Sequence, residues 1–185
     1  RSVPLGMVGR HQAVNAAVAL AAIGQLRRMG HAILDEQILS GLAAARCPAR
    51  IEVVGRRPTV IIDGAHNVAS IEALIAAIEQ SFSARKKILV FATTQDKDIA
   101  GMMRLVLPFF DEIILTRYRL NPRAVPPKEL AAIAARLTGR ACRVCSKPVD
   151  AWNAARASAG PEDLVCVAGS FFLASELRRI CTSPT

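Results

Sequence analysis

Five times between residues 59 and 179 a short aliphatic run is followed by a longer amphipathic stretch. The runs are 59–62 (Thr-Val-Ile-Ile), 87–92, 112–116, 141–145 and 163–168, rich in Val, Ile and Leu. The stretches after them are of helical length and reach about Phe82, Leu107, Leu137, Ala159 and Arg179. Apolar runs without alternation belong to strands covered on both faces, and helices of that length are long enough to cross over between parallel neighbours. The pattern therefore predicts a three-layer, Rossmann-like α/β domain with a mostly parallel sheet. A sixth strand is expected within 48–54. It is followed by a turn at 55–58 rather than a helix, so it can pair antiparallel with 59–62. No further repeat and no low-complexity segment interrupts this.

Residues 1–47 do not share the alternation. An alanine- and leucine-rich helix is expected over 13–26, with Val14, Val18, Ala21 and Ala22 able to share a face, and Gly30 beyond its end. Asn15 is the one amide early in that apolar helix; it either points outward or serves a ligand. A second helix, 37–45, opens on Asp35-Glu36 and closes before Cys47-Pro48. Two helices cannot bury their apolar stripes alone, so 1–47 is expected to belong to a neighbouring domain and 48–185 to form the α/β domain. The chain opens on Arg1 without an initiator Met or a signal-peptide pattern, and reads as a piece of something longer.

The 185 residues carry 24 Lys and Arg against 15 Asp and Glu, a formal charge of +9, which favours anionic partners such as nucleotides. Nucleic acid is not indicated: the basic residues are scattered, and one Trp and one Tyr offer little stacking. No eighteen-residue apolar run is present, so no membrane span is expected. The five cysteines, Cys47, Cys142, Cys145, Cys166 and Cys181, form no ligand or staple pattern. They read as buried small hydrophobes in a reducing cytoplasm.

The chemistry gathers where predicted strands end. After 59–62 come Asp63-Gly64-Ala65-His66-Asn67, a carboxylate, an imidazole and an amide in five positions. Asp63 and Asn67 either cap the turn and the next helix or, with His66, serve a ligand. After the next strands come Thr93, Thr94, Asp96, Lys97 and Asp98, then Thr116, Arg119, Asn121 and Arg123, and finally Gly169-Ser170. In a parallel sheet these share one rim, where ligands of open α/β sheets bind. Basic and amide groups suit phosphate and carboxylate, and a Gly-Ser helix start can present N–H groups to an anion. The chain has no P-loop motif, no dinucleotide fingerprint and no nucleophile elbow, and its three histidines lack metal-ligand spacing.

Several blocks together resemble the C-terminal part of the folylpolyglutamate synthase/dihydrofolate synthase family of the Mur ligase superfamily. They are Gly9-Arg10-His11-Gln12 with Asn15-Ala16-Ala17, Pro48-Ala49-Arg50-Ile51-Glu52, Asp63-Gly64-Ala65-His66-Asn67, Asp96-Lys97-Asp98, Asn121-Pro122-Arg123-Ala124 and Gly169-Ser170-Phe171-Phe172. They occur in the family's order and span nearly the whole chain. The resemblance implies a Mur ligase C-terminal type of fold, with about six strands. It implies an ATP- and Mg²⁺-dependent amide ligase that adds L-glutamate to a folate or dihydropteroate through an acyl phosphate, monomeric when complete. By motif match Asn15 lies near adenine, Asp63 on the ribose or base side, and Arg50 and His66 near the phosphates as catalytic candidates, with Asn67 shaping the loop. Asp96, Lys97, Asp98, Arg123 and Ser170 become candidates for the incoming glutamate or for closure over it. The family's P-loop and Mg²⁺ ligands find no match here, so this chain alone is expected to be inactive. One departure is Cys47-Pro48-Ala49-Arg50, where the family often has Trp-Pro-Gly before the arginine. A Mur-type ligase of another substrate class and a non-catalytic α/β interaction module are the alternatives.

Overall fold

The computed structural model describes residues 3–119 and 121–181; Arg1, Ser2, Leu120 in the predicted 117–127 loop, and 182–185 lie outside them. The chain divides into two compact units between Cys47 and Pro48.

The first unit is a helical pair, α1 (Arg10–Arg28) and α2 (Asp35–Ala44). Arg27 and Arg28 lie in the last turn of α1, where cations complement the exposed carbonyls. Gly30 follows at φ +94°, a backbone conformation open to glycine. Asp35 and Glu36 fill the first turn of α2, and the Gln37 side chain accepts from Leu34 N at 2.9 Å. Arg27 ties the two together through Ile33 O and the Asp35 carboxylate, both at 2.7 Å. The predicted Val14/Val18 face is open, each valine being 66% exposed. Instead Gln12, Asn15, Ala16 and Ala19 border a cavity of about 210 Å³ with Leu5 and Leu42. Gln12 is the one buried residue of α1, and α2 has none. Two helices have too little surface to cover each other's stripes.

The second unit is a six-stranded sheet in the order β1-β2-β6-β3-β4-β5. Its strands are β1 (Glu52–Arg56), β2 (Thr59–Ile62), β3 (Lys87–Phe91), β4 (Glu112–Leu115), β5 (Arg143–Val144) and β6 (Leu164–Ala168). All neighbours run parallel except β1, which pairs antiparallel with β2. Helices α3 (Val68–Ser81), α4 (Ile99–Phe109), α5 (Pro127–Thr138), α6 (Pro148–Ser158) and α7 (Phe171–Cys181) complete it. Side chains alternate faces along a strand. Val60, Ile62, Ile88, Val90, Val165 and Val167 accordingly form one cluster with Trp152 of α6 and Leu173 and Leu177 of α7. Helices α3, α4 and α5 pack against one another in sequence, and α6 packs on α7. The three-layer, mostly parallel architecture expected from the alternation is therefore the observed one.

Two boundaries differ. Gly55 and Arg56 were expected in the turn, yet they pair with Val60 and Thr59 across a bulge at Val54, leaving Arg57-Pro58 as the connection. Glycine permits this, because a Cβ at 55 would lie 3.0 Å from Val60 Cγ2. The predicted 141–145 strand shrinks to Arg143–Val144, an edge with one neighbour to hold it and both residues exposed. The cysteine expectation also needs correction. Cys166 is buried, Cys142, Cys145 and Cys181 are partly buried, and Cys47 is exposed where the two units meet in sequence. All five are free. Among the described residues no helix is long and apolar enough to cross a membrane.

Candidate functional site

Strand order decides where the site lies. The chain goes from β2 to β3, moves outward to β5, and returns to insert β6 between β2 and β3. The helix after β2 packs with α4, whereas the helix after β6 packs with α6. The β2 and β6 loops thus leave neighbouring strand ends toward different helical layers, opening the crevice that such a switch point produces.

At the β2 end, Asp63 is 6% exposed and continues the sheet through its N–H to Val167 O at 2.9 Å. Its carboxylate accepts from two backbone N–H groups at 2.7 Å each, Ile51 through Oδ2 and Ala65 through Oδ1. Gly64 N donates to Ala49 O at 2.8 Å, sewing the 49–52 turn to the 63–67 turn. Ala49 and Ile51 sit at φ +55° and +48°, so Arg50 is carried between two left-handed residues. Its guanidinium lies over the Phe171 ring, 4.7 Å from the centroid. A Cβ at Gly64 would fall 2.2 Å from that ring, so glycine is what lets Phe171 lie there.

His66 Nδ1 is 2.9 Å from Gly64 O, and a carbonyl can only accept, which puts a proton on Nδ1. Nε2 is then the atom available to a ligand. The imidazole is 5.6 Å from the Phe171 ring centroid, so this one phenyl ring touches both Arg50 and His66. Asn67 caps α3: its Oδ1 accepts from Ser70 N at 2.8 Å, and Ser70 Oγ accepts from Asn67 N at 3.1 Å.

Beyond β3, the 93–98 loop is bridged to 121–125 by Gln95 N to Arg123 O at 3.1 Å and Val125 N to Thr93 O at 3.0 Å. Asp96 pairs with Lys97 at 2.9 Å and faces Arg123 at 3.9 Å. The hydrogen bonds from Lys97 and then Thr94 hold the Asp96 carboxyl down at about 2. Asp98 caps α4, Oδ1 accepting from Gly101 N at 2.8 Å. At the β6 end, Gly169 has φ +103°, and a Cβ there would meet Ala92 O at 2.5 Å. Ser170 is buried, its Oγ accepting from Phe172 N at 3.1 Å.

His66, Thr94, Asp96, Lys97, Arg123 and Ser170 together line a cavity of about 160 Å³. Phe171 and Phe172 form its apolar wall, and Phe172 stacks on the buried Tyr118 at 5.2 Å. Of the residues singled out in the sequence, Arg50 joins this cavity through Phe171, while Asp63, Asn67 and Asp98 act on backbone beside it. Asn15 belongs to the other unit, exposed, with its Nδ2 donating to Gln12 Oε1 at 3.0 Å. Sequence reasoning missed Tyr118 and the Glu52–Arg178 pair. Thr93 and Thr116, placed on the rim by the sequence, have hydroxyls buried without a hydrogen-bond partner among the described residues. No group of three or more His, Cys, Asp or Glu among the described residues converges to hold a metal, so these side chains do not form a Mg²⁺ ligand set of their own.

Residues 49–171 match the family model described as Mur ligase, glutamate ligase domain. The chain is 34% identical over 180 residues to a probable bifunctional folylpolyglutamate synthase/dihydropteroate synthase of Haloferax volcanii, covering 97% of this chain and 21% of that protein. Its fold superposes on the folylpolyglutamate synthase of Mycobacterium tuberculosis, complexed with ADP and AMPPCP, with a TM-score of 0.85 at 29% identity. That match covers 97% of this chain and 42% of the other. A bifunctional folylpolyglutamate synthase/dihydrofolate synthase with Mn, AMPPNP and L-glutamate bound gives 0.81 at 30% identity, over 97% of this chain and 41% of that one. The chain thus spans between about a fifth and two fifths of the proteins it resembles. It belongs to the Mur ligase family as a glutamate ligase domain, homologous to the C-terminal domain of folylpolyglutamate synthase/dihydrofolate synthase.

Proposed function

We propose that this chain is the nucleotide- and amino-acid-facing part of a cytoplasmic, ATP-dependent ligase that joins L-glutamate to a folate or dihydropteroate through an acyl phosphate. Residues 1–47 are read as helices of its ATP-binding central domain, with Asn15 on the adenine side. The carrying observation is the crevice at the β6 switch point, where Arg50 and His66 share one phenyl ring beside a cavity holding both acidic and basic groups.

In this reading Mg²⁺ would arrive with ATP and would supply screening of phosphate charge, without a ligand set from the described residues. Arg50 supplies a fixed positive charge to the phosphates of bound ATP, and again where charge builds on the transferring phosphoryl group. His66, its ring held through Nδ1–H, meets a phosphate oxygen with Nε2–H donating, which requires both ring nitrogens to carry a proton. Asp63 faces the ribose side while keeping the turn in shape, and Asn67 sets the path of the loop into α3. Lys97 and Arg123 receive the glutamate carboxylates, and Asp96 receives its ammonium. Asp98 and Ser170 fix the ends of the loops that close over it. Water would hydrolyse an acyl phosphate, so a wall of two phenyl rings beside the reacting groups has a direct chemical use. The complete ligase is read as a monomer, and this chain alone as inactive.

The test uses the complete ligase bearing this domain. It should release ADP only when a folate or dihydropteroate and glutamate are both present, and Arg50→Ala should reduce kcat/KM for ATP about 100-fold, the scale of a lost charge-stabilising contact. ADP release indifferent to every folate offered would overturn the substrate assignment. Release seen only with a UDP-linked muramyl peptide would transfer the site to a cell-wall ligase.

A further inference from the structure

Arg50 is presented by a backbone that would not choose its own conformation. Ala49 and Ile51 both have positive φ, and a β-branched residue is especially averse to that region. Such a turn persists only when its surroundings over-determine it. Asp63 and Gly64 hold it from the β2 side, through Ile51 N and Ala49 O. On the other side, Glu52 Oε2 accepts from Ala49 N at 3.0 Å. Both Glu52 oxygens also accept from Arg178, at 2.8–2.9 Å through Nε and Nη2. That pairing holds the Glu52 carboxyl below its ordinary range.

Arg178 lies in the last turn of α7, the helix that starts at Phe171. Residues seven apart lie on one face of a helix, about 10 Å apart along its axis. One face of α7 therefore reaches the Arg50 turn twice, with Phe171 against the guanidinium and Arg178 through Glu52 against the backbone that carries it. We infer that Glu52 and Arg178 are positioning residues for Arg50: their ion pair fixes the left-handed turn so that the guanidinium points along the Phe171 ring into the crevice. An ordinary ion pair between an edge strand and a helix would contribute stability alone. The hydrogen bond from Ala49 N to the same carboxylate is what links this pair to the arginine.

The inference rests on the proposed role of Arg50, and a mutant cycle separates the two. In the complete ligase the variants are Arg50→Ala, Glu52→Ala, Glu52→Gln and the double variant Arg50→Ala/Glu52→Ala. The readout is KM for ATP, which does not change with the fraction of enzyme that is folded. If Arg50→Ala leaves KM for ATP and kcat unchanged, the role of Arg50 itself is refuted. If it impairs them, Glu52→Ala should raise KM for ATP about 5- to 10-fold in the wild-type background and not further in the Arg50→Ala background, the signature of one residue acting through another. Glu52→Gln keeps an oxygen for Ala49 N but gives up the charge that holds Arg178, and should recover only part of the loss; full recovery would remove Arg178 from the positioning role. Effects that multiply in the double variant, or a Glu52→Ala enzyme with wild-type KM, overturn the positioning role.

Discussion

The two lips of the crevice are built by different physics. The first lip, 49–52 with 63–67, is held by carboxylates that accept backbone N–H groups, and Asp63 at its base is 6% exposed. The second lip, 93–98 with 121–125, carries its charge on exposed side chains. Asp96 and Arg123 keep 45% and 62% of their side-chain surface in water, and their ion pair is long, 3.9 Å. A buried carboxylate with two N–H partners fixes a backbone path, because removing it orphans the donors. Exposed ion pairs contribute little and rearrange readily. The first lip is suited to holding phosphate-reading groups in one place, the second to exchanging internal partners for a ligand's charges.

The largest expected effect tests the first lip. Asp63→Ala leaves Ile51 N–H and Ala65 N–H without their acceptor, and two charge-assisted bonds in a buried setting point to a loss of about 3 kcal/mol. For a domain of this size that is a fall in melting temperature of about 10 °C. Asp63→Asn retains one acceptor oxygen and should fall about half as far. A melting temperature within about a degree of wild type for Asp63→Ala would show that the first lip is no more fixed than the second.

That lip was legible in the sequence only in part. Asp63-Gly64-Ala65-His66-Asn67 follows a β-branched strand and precedes a helical period, so a turn with polar side chains at a strand end follows from local rules. Asn67 as the α3 cap follows from its residue type and position. The switch-point crevice was not legible, because inserting β6 between β2 and β3 is a choice of strand order that local patterning does not encode. The clamp was invisible for another reason: Glu52 and Arg178 are 126 positions apart, and nothing in either neighbourhood announces the other. The positive φ at Ala49 and Ile51 was equally hidden, since neither residue type signals it. In residues 1–47 the helices were legible but the face was not. Val14 and Val18 are spaced for a stripe, yet both stay exposed; Gln12 is the buried position, and Ala16 and Ala19 border a cavity with Leu42 instead.

A middle-sized effect concerns acid. Arg178, by its hydrogen bond, lowers the Glu52 carboxyl from its ordinary 4.5. A carboxylate depressed in the folded state contributes stability that is fully present above the unfolded pKa and is lost as pH falls through the folded one. The first lip should thus weaken below about pH 4.5. With Arg178 41% exposed, the contribution is on the order of 0.5 kcal/mol. Urea midpoints measured from pH 6 down to pH 3 should show wild type losing its advantage over Glu52→Gln through that window. Parallel curves would place the Glu52–Arg178 pair with the exposed pairs of the second lip.

The smallest effect on stability belongs to the second lip, and its smallness is informative. Lys97 pairs with the exposed Asp96, so Lys97→Ala should shift stability by no more than about 0.5 kcal/mol. A lysine engaged only in holding its own loop would leave catalysis equally untouched. If the second lip trades its internal ion pair for a ligand's carboxylate, Lys97→Ala should instead raise KM for glutamate about 10- to 100-fold while KM for ATP stays near wild type. Asp63→Ala should show the reverse weighting, a large loss of stability with its kinetic cost on ATP. Titrating both substrates against both variants therefore separates a lip that positions from one that binds. Equal sensitivity of the two KM values in the Lys97 variant would mean the lips move as one body.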